Sequence, residues 1–238
     1  MQAAVDLADP LMSTVSGRTL AAELYDRWFA GPVASSGSAG TAGSAGAVAD
    51  KPAPLVGAYR RAHAAVASRT VDGIAVLERH DKIGTDGWWR TWNTSWQPRQ
   101  SHPRILLSPQ VDAAPDLVAL LTGALRDVPY LLACPGDTTR LGRSGSVVLY
   151  ASRLGAVSAQ VLRAARPLLR VDTPPLCLPV APGVAVAQYP DNGMTFGEHR
   201  CHLLALALGG ARGSGRSLGE IAEVFAVHGV DPSRPYRS

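Results

Sequence analysis

Lysine is almost absent from this chain. Of its 23 basic residues only Lys51 and Lys82 are lysine, and the rest are arginine. Arginine-heavy, Ala/Gly/Pro-rich composition follows from GC-rich codons, so a single arginine argues for little, while a retained lysine invites a question. The three cysteines, Cys134, Cys177 and Cys201, have neither CxxC nor metal-ligand spacing, which excludes a disulfide framework and a zinc site and suits a reducing cytoplasm. No apolar run approaches the ~20 residues of a membrane span, and the N-terminus lacks the basic-then-apolar pattern of a signal peptide. GxSxG, HExxH, Walker and Rossmann glycine patterns are missing. The arginines are scattered, with no basic block or aromatic-interleaved stripe, so neither nucleic acid nor membrane is an expected partner.

What is present suffices for a core: 238 residues, 46% hydrophobic and 18% charged, at a net charge of +4. Arg18 to Phe29 and Pro52 to Ser68 carry helix-period apolar residues. Between them, Gly31 to Asp50 is Gly/Ala/Ser-rich without periodicity and reads as a flexible loop. From Asp72 the period becomes two: Gly73 to His80 reads as a strand, and a turn at Gly84-Thr85-Asp86-Gly87 leads into Trp88 to Trp92 as a β-hairpin. Further strands are expected at Arg104 to Leu107, Tyr130 to Ala133 and Ser146 to Ala151. Helices are expected at Ala114 to Leu125, Leu154 to Leu169 and, behind a capping-box pattern at Ser217 to Glu220, up to His228; Gly136 to Arg143 reads as a polar loop. Without regular βαβ alternation the class is α+β, a mixed or antiparallel sheet flanked by helices. The organisation expected is an N-terminal helical segment, 1–30, the loop 31–51, and one domain over 52–238 on which the first segment packs.

Chemistry concentrates in three places. Thr173 to Leu208 makes a Pro-rich approach, a tight turn at Ala181-Pro182-Gly183, a short apolar segment (Val184 to Ala187) and then, after a polar loop, Thr195-Phe196-Gly197-Glu198-His199-Arg200-Cys201 entering a helix. Thr195 and Glu198 form a capping box, and the free N–H groups of such a start favour an anion. The same pattern also fits a plain capped helix with Cys201 on its apolar face. Second, if Arg79 to Ile83 is extended, His80 and Lys82 share a face. A partly buried lysine there loses its proton more readily and can act as a base. Third, four of the five tryptophans fall within Trp88 to Trp96, either a peptide- or protein-binding hairpin or a core element.

Several of these stretches, Leu20 to Phe29, Arg104 to Pro109 (RILLSP), Gly142 to Ala151 (GRSGSVVLYA) and above all TPPLCLPVAPGVAVAQYP…TFGEHRC, resemble the HopA-type type III effector domain. That domain also occurs in actinobacterial biosynthetic clusters. The resemblance implies a fold like the phosphothreonine lyases. In class V lanthipeptide and thioamitide pathways it implies a lyase working beside a kinase similar to aminoglycoside phosphotransferases. Such a lyase eliminates phosphate from phosphoserine or phosphothreonine of a ribosomal precursor peptide, giving dehydroalanine or dehydrobutyrine, without metal or organic cofactor. β-Elimination needs a base, donors for the departing phosphate and an acid. On this resemblance Lys82 is the expected base and His80 or His199 the acid. Arg104, Arg140, Arg143 and Arg200 are the expected phosphate clamp. A non-catalytic scaffold that binds leader peptide or activates the kinase is the alternative.

Overall fold

The computed structural model describes residues 17–30, 54–71, 74–77, 79–93, 96, 104–151, 157, 159–190, 192–209 and 218–237. The expected loop 31–51 and Ser217 lie outside them. In chain order come α1 (Gly17–Leu24) with a π-turn at Tyr25–Phe29, α2 (Pro54–Ala67), β1 (Ser68–Val71), β2 (Ile74–Leu77), β3 (Arg79–Ile83), β4 (Trp88–Asn93) and β5 (Arg104–Leu107). They continue with α3 (Ala114–Ala124), β6 (Tyr130–Pro135), α4 (Thr138–Leu141), β7 (Val147–Ala151), α5 (Ala159–Ala165), β8 (Leu178–Ala181), β9 (Val184–Ala187), α6 (Phe196–Gly209) and α7 (Leu218–Val227).

Seven of these strands form one antiparallel sheet in the order β3-β4-β6-β7-β5-β9-β8, while β1 and β2 pair separately. The fold is α+β, with helices on both faces of the sheet. Strand alternation divides the residues between two cores. Trp89, Tyr130, Leu132, Leu149 and Ile105 point to the face under α2 and α3, where Trp89 packs on Tyr59 at 5.4 Å between ring centroids. Leu106, Val148 and Ala185 point to the opposite face, under α1 and α6.

The expected strand Gly73 to His80 divides into two strands: β2 turns back on β1, and β3 begins at Arg79 as the first arm of the hairpin. A run of alternating apolar residues does not say which neighbour it pairs with, and here the pairing changes partway along. The polar loop Gly136 to Arg143 contains one helical turn, because the Asp137 carboxylate accepts from the Arg140 N–H at 2.7 Å and caps it. Of the expected helix Leu154 to Leu169, the described part is α5 followed by a 3-10 turn at Arg166–Leu168, where Pro167 cannot continue an α-helix.

The start of α6 follows its residues closely. The Thr195 N–H donates to the Glu198 carboxylate at 2.8 Å and the Glu198 N–H to the Thr195 hydroxyl at 3.3 Å, a reciprocal capping box. Thr195→Ala is expected to cost about 1 kcal/mol, read as a lower denaturant midpoint at unchanged slope. The turn before β9 needs Gly183, whose φ of 70° lies in the left-handed region. Gly197 has a different reason. A Cβ there would collide with the rings of Phe29 and Tyr25, so its absence lets α6 seat directly on the π-turn.

Candidate functional site

Register across the sheet assembles the site. Lys82 on β3 is directly opposite Arg90 on β4, and Arg90 is opposite Ala133 on β6. One step along, His80 pairs with Trp92, Trp92 with Leu131, Leu131 with Tyr150 and Tyr150 with Arg104. These two rows cross the face of the sheet that α2 and α3 do not cover. Over their β3–β4–β6 end lies a cavity of about 450 Å³ lined by Lys82, Gly84, Arg90, Trp92, Trp96 and Leu131. Lys82 is exposed, where the sequence led us to expect a partly buried lysine, because β3 is the outermost strand and leaves its side chain at the rim. The backbone of His80 sits in β3, while its side chain lies outside the described residues.

Arg90 carries no functional assignment from sequence, yet it is the cation nearest Lys82 in register. Its fork meets Asp86 through Nη1–Oδ1 at 3.0 Å and Nη2–Oδ2 at 2.5 Å, and this pairing holds the Asp86 carboxyl down to about 2. Only the register of β3 against β4 reveals it: in the sequence it is one residue of a tryptophan cluster.

A second cavity, of about 570 Å³, opens between the sheet, the π-turn and the start of α6. Its apolar lining includes Phe29, Leu106, Val148 and Phe196, with Tyr25, Trp88 and Tyr189 as aromatic walls. Arg140 and Arg143 line it too, each already engaged. Arg140 donates to the Asp86 carbonyl at 2.7 Å and lies 3.5 Å from the Asp137 carboxylate, and Arg143 meets Asp26 at 3.4 Å. The two cavities are neighbours. Asp86 lines the second and grips Arg90 of the first, and Trp88 and Arg90 are alternate residues of β4.

The remaining expected site residues lie apart. The Arg104 guanidinium is stacked between Tyr150 (4.3 Å to the ring centroid) and Tyr189 (3.3 Å), two strands along from Leu131. Arg200 is fully buried; it donates from Nε to the Pro235 carbonyl at 2.7 Å and from Nη2 to the Arg237 carbonyl at 2.6 Å, and it lies over Phe196. It therefore holds the C-terminal segment and faces neither cavity lining. Its Nη1 also donates to His199 Nδ1. His199 is half-buried and is not among the residues lining either cavity. Burial first, then Arg200, His202 and His228, push its pKa from 6.5 down to about 4. The unfolded chain thus takes up a proton that the folded chain refuses. Stability is full above about pH 6.5 and falls as pH drops toward 4, by ~2 kcal/mol after allowance for partial exposure. Urea midpoints measured across that window are expected to flatten in His199→Gln.

The thiols are not placed for nucleophilic work. Cys134 and Cys201 are buried and Cys177 is half-buried; burial raises all three, Cys201 to about 12. Among the described residues no helix is long and apolar enough to cross a membrane.

Comparison with known proteins agrees with this architecture. The structure is similar to an effector protein from Pseudomonas syringae pv. syringae strain 61, with a TM-score of 0.61 and 12% identity over 99% of this chain and 94% of that one. It is also similar to an effector protein from Pseudomonas syringae pv. tomato strain DC3000, with a TM-score of 0.50 and 15% identity, where the match spans 64% of each chain. At such identities the likeness is one of fold. No curated protein matches. The model of the HopA1 effector protein family matches residues 92–237, a segment that begins after Lys82 and Arg90 and takes in the sheet from Trp92 onward, α6 and the C-terminal segment. The chain belongs to the HopA1 effector protein family.

Proposed function

We propose that the protein is a lyase that eliminates phosphate from phosphoserine or phosphothreonine in a ribosomal precursor peptide, leaving dehydroalanine or dehydrobutyrine. The observation that carries this reading is the cross-strand pair Lys82–Arg90 within one cavity walled by Trp92 and Trp96. An amine and a guanidinium on directly opposite residues stand roughly 5 Å apart at their Cβ atoms. That is close enough for one to reach the Cα proton and the other the phosphate of the same residue.

In this mechanism Arg90 binds the phosphate dianion through a guanidinium already oriented by Asp86. The Lys82 amine takes the Cα proton. The electron pair of the Cα–H bond becomes the Cα=Cβ bond, the Cβ–O bond breaks, and phosphate departs with its pair, protonated by an acid for which His80 is the choice. Arg104, further along the same face, receives the released phosphate. No step calls for a metal or an organic cofactor. The phosphopeptide comes from a kinase similar to aminoglycoside phosphotransferases, either free or bound to this chain, and the pair acts in the cytoplasm where precursor peptide is made.

A scaffold that binds precursor or activates the kinase is the second reading. It is favoured by the carboxylate and carbonyl partners already held by Arg90, Arg140 and Arg143. Mass spectrometry of a synthetic phosphoserine peptide incubated with the purified protein separates the two. Elimination gives a dehydroalanine product that adds a thiol, and simple hydrolysis returns serine. A peptide left phosphorylated, with and without the kinase, removes the lyase and leaves the scaffold.

A further inference from the structure

The second cavity holds two arginines, both already engaged. Asp26 pairs with Arg143, while Arg140 donates to the Asp86 backbone carbonyl and lies beside the Asp137 carboxylate. The formal charges of the lining, Asp26 and Asp86 against Arg140 and Arg143, cancel. The first turn of α6, which also borders it, spends the Glu198 amide on the capping box. Apart from Ser144, Ser146 and Thr195, the cavity's remaining lining is apolar, aromatic or glycine, and its volume of about 570 Å³ falls in the range of sites that enclose a ligand group. Nor is it isolated: Trp88 walls it, and Arg90 two residues further along β4 belongs to the Lys82 cavity, a step of roughly 7 Å.

We propose that this cavity is a specificity subsite that takes one large, uncharged apolar side chain, of the Phe, Trp or Leu class, from the same peptide whose phosphorylated residue lies at Lys82 and Arg90. The inference rests on the lyase reading for the peptide's second anchor. The balanced lining selects against charged side chains, since an acidic one competes with the partners that Arg143 and Arg140 already hold and a basic one competes with Arg143 for Asp26. The short step along β4 places the apolar residue within about five positions of the phosphorylated one in an extended peptide.

The test uses phosphoserine peptides in a Gly/Ser host with a single Phe moved through the positions on either side, together with their non-eliminable phosphonate analogues for binding. On the wild-type protein one Phe position is expected to lower the analogue's Kd, and the KM for elimination, about tenfold or more, with kcat little changed. Glu or Lys at that position gives no gain. Ser144→Trp, which fills the cavity from the loop before β7, is expected to abolish the difference between Phe-containing and Phe-free peptides. No Phe position that tightens binding to the wild type, or a gain that survives Ser144→Trp, overturns the subsite. Phe-dependent binding without elimination of the phosphoserine peptides supports the subsite and sinks the lyase alone.

Discussion

Lys82→Ala is expected to lower the rate of elimination by about a thousandfold, the scale of losing a general base, while unfolding stays within about 0.5 kcal/mol of wild type. The second half of that expectation comes from its surroundings: the side chain is exposed on an outermost strand. Alanine alone leaves the role ambiguous, because it removes a charge as well as a base. Lys82→Arg separates them. A guanidinium keeps the positive charge but stays protonated at any working pH, so it can help hold phosphate and cannot accept the Cα proton. If Lys82 is the base, the arginine variant is as inactive as the alanine variant while binding the phosphonate analogue normally. Turnover retained by Lys82→Arg would falsify the base assignment and reduce Lys82 to a charge. Arg90→Lys tests the other half of the pair; it keeps a cation but forfeits the two-point grip of Asp86, so weaker analogue binding is expected to accompany its loss of rate.

Arg200→Met is expected to cost about 3–5 kcal/mol, the largest stability effect of any single substitution named here. The wild-type guanidinium has no exposure, and burial draws its pKa from 12.5 down to about 10, still charged at neutral pH. Its cost of burial is offset by the carbonyls of Pro235 and Arg237 and by the His199 ring. Methionine fills much of the volume but leaves those acceptors without a donor. For a chain of this size the midpoint of thermal unfolding drops by roughly 10 °C. A local readout distinguishes release of the C-terminal segment from general weakening. The Gln188 N–H donates to the Tyr236 carbonyl at 2.8 Å, and its hydrogen-exchange protection is expected to fall toward that of an open amide in Arg200→Met. Arg200→Lys recovers only part, since an ammonium on a flexible stem does not reproduce a planar fork to two carbonyls. An unchanged midpoint with Gln188 still protected would show that the segment is held by other contacts.

What could be read from the sequence was mostly local. The capping box at Thr195 and Glu198, the glycine turn at Gly183 and the burial of Cys201 all depend on residues within a few positions of one another. Arg200 was misleading for the opposite reason. Its place in the first turn of a helix suggested an anion, while its partners lie 35 and 37 residues away, at a separation no spacing rule covers. Arg90 gives no signal in the sequence because its meaning comes from the register of β3 against β4. The tryptophan cluster was legible as a strand but not as two environments. Alternation sends Trp89 into the core beside Tyr59 and leaves Trp88 and Trp92 half-buried on the other face, and sequence does not say which parity faces inward.

The order of the sheet has a consequence for handling the protein. Its outer strands are β3 and β8, and an outer strand offers unpaired backbone groups to any other sheet. On β8 Pro179 removes one donor from that row. On β3 the guard is charge, the sequence Arg-His-Asp-Lys-Ile, so Lys82 belongs to the strand that keeps copies of the molecule from joining edge to edge. Apolar replacements at Lys82 therefore trade colloidal stability as well as chemistry. A polar replacement such as Lys82→Gln, compared at matched concentration by light scattering, keeps the assay from mistaking clumped protein for an inactive variant.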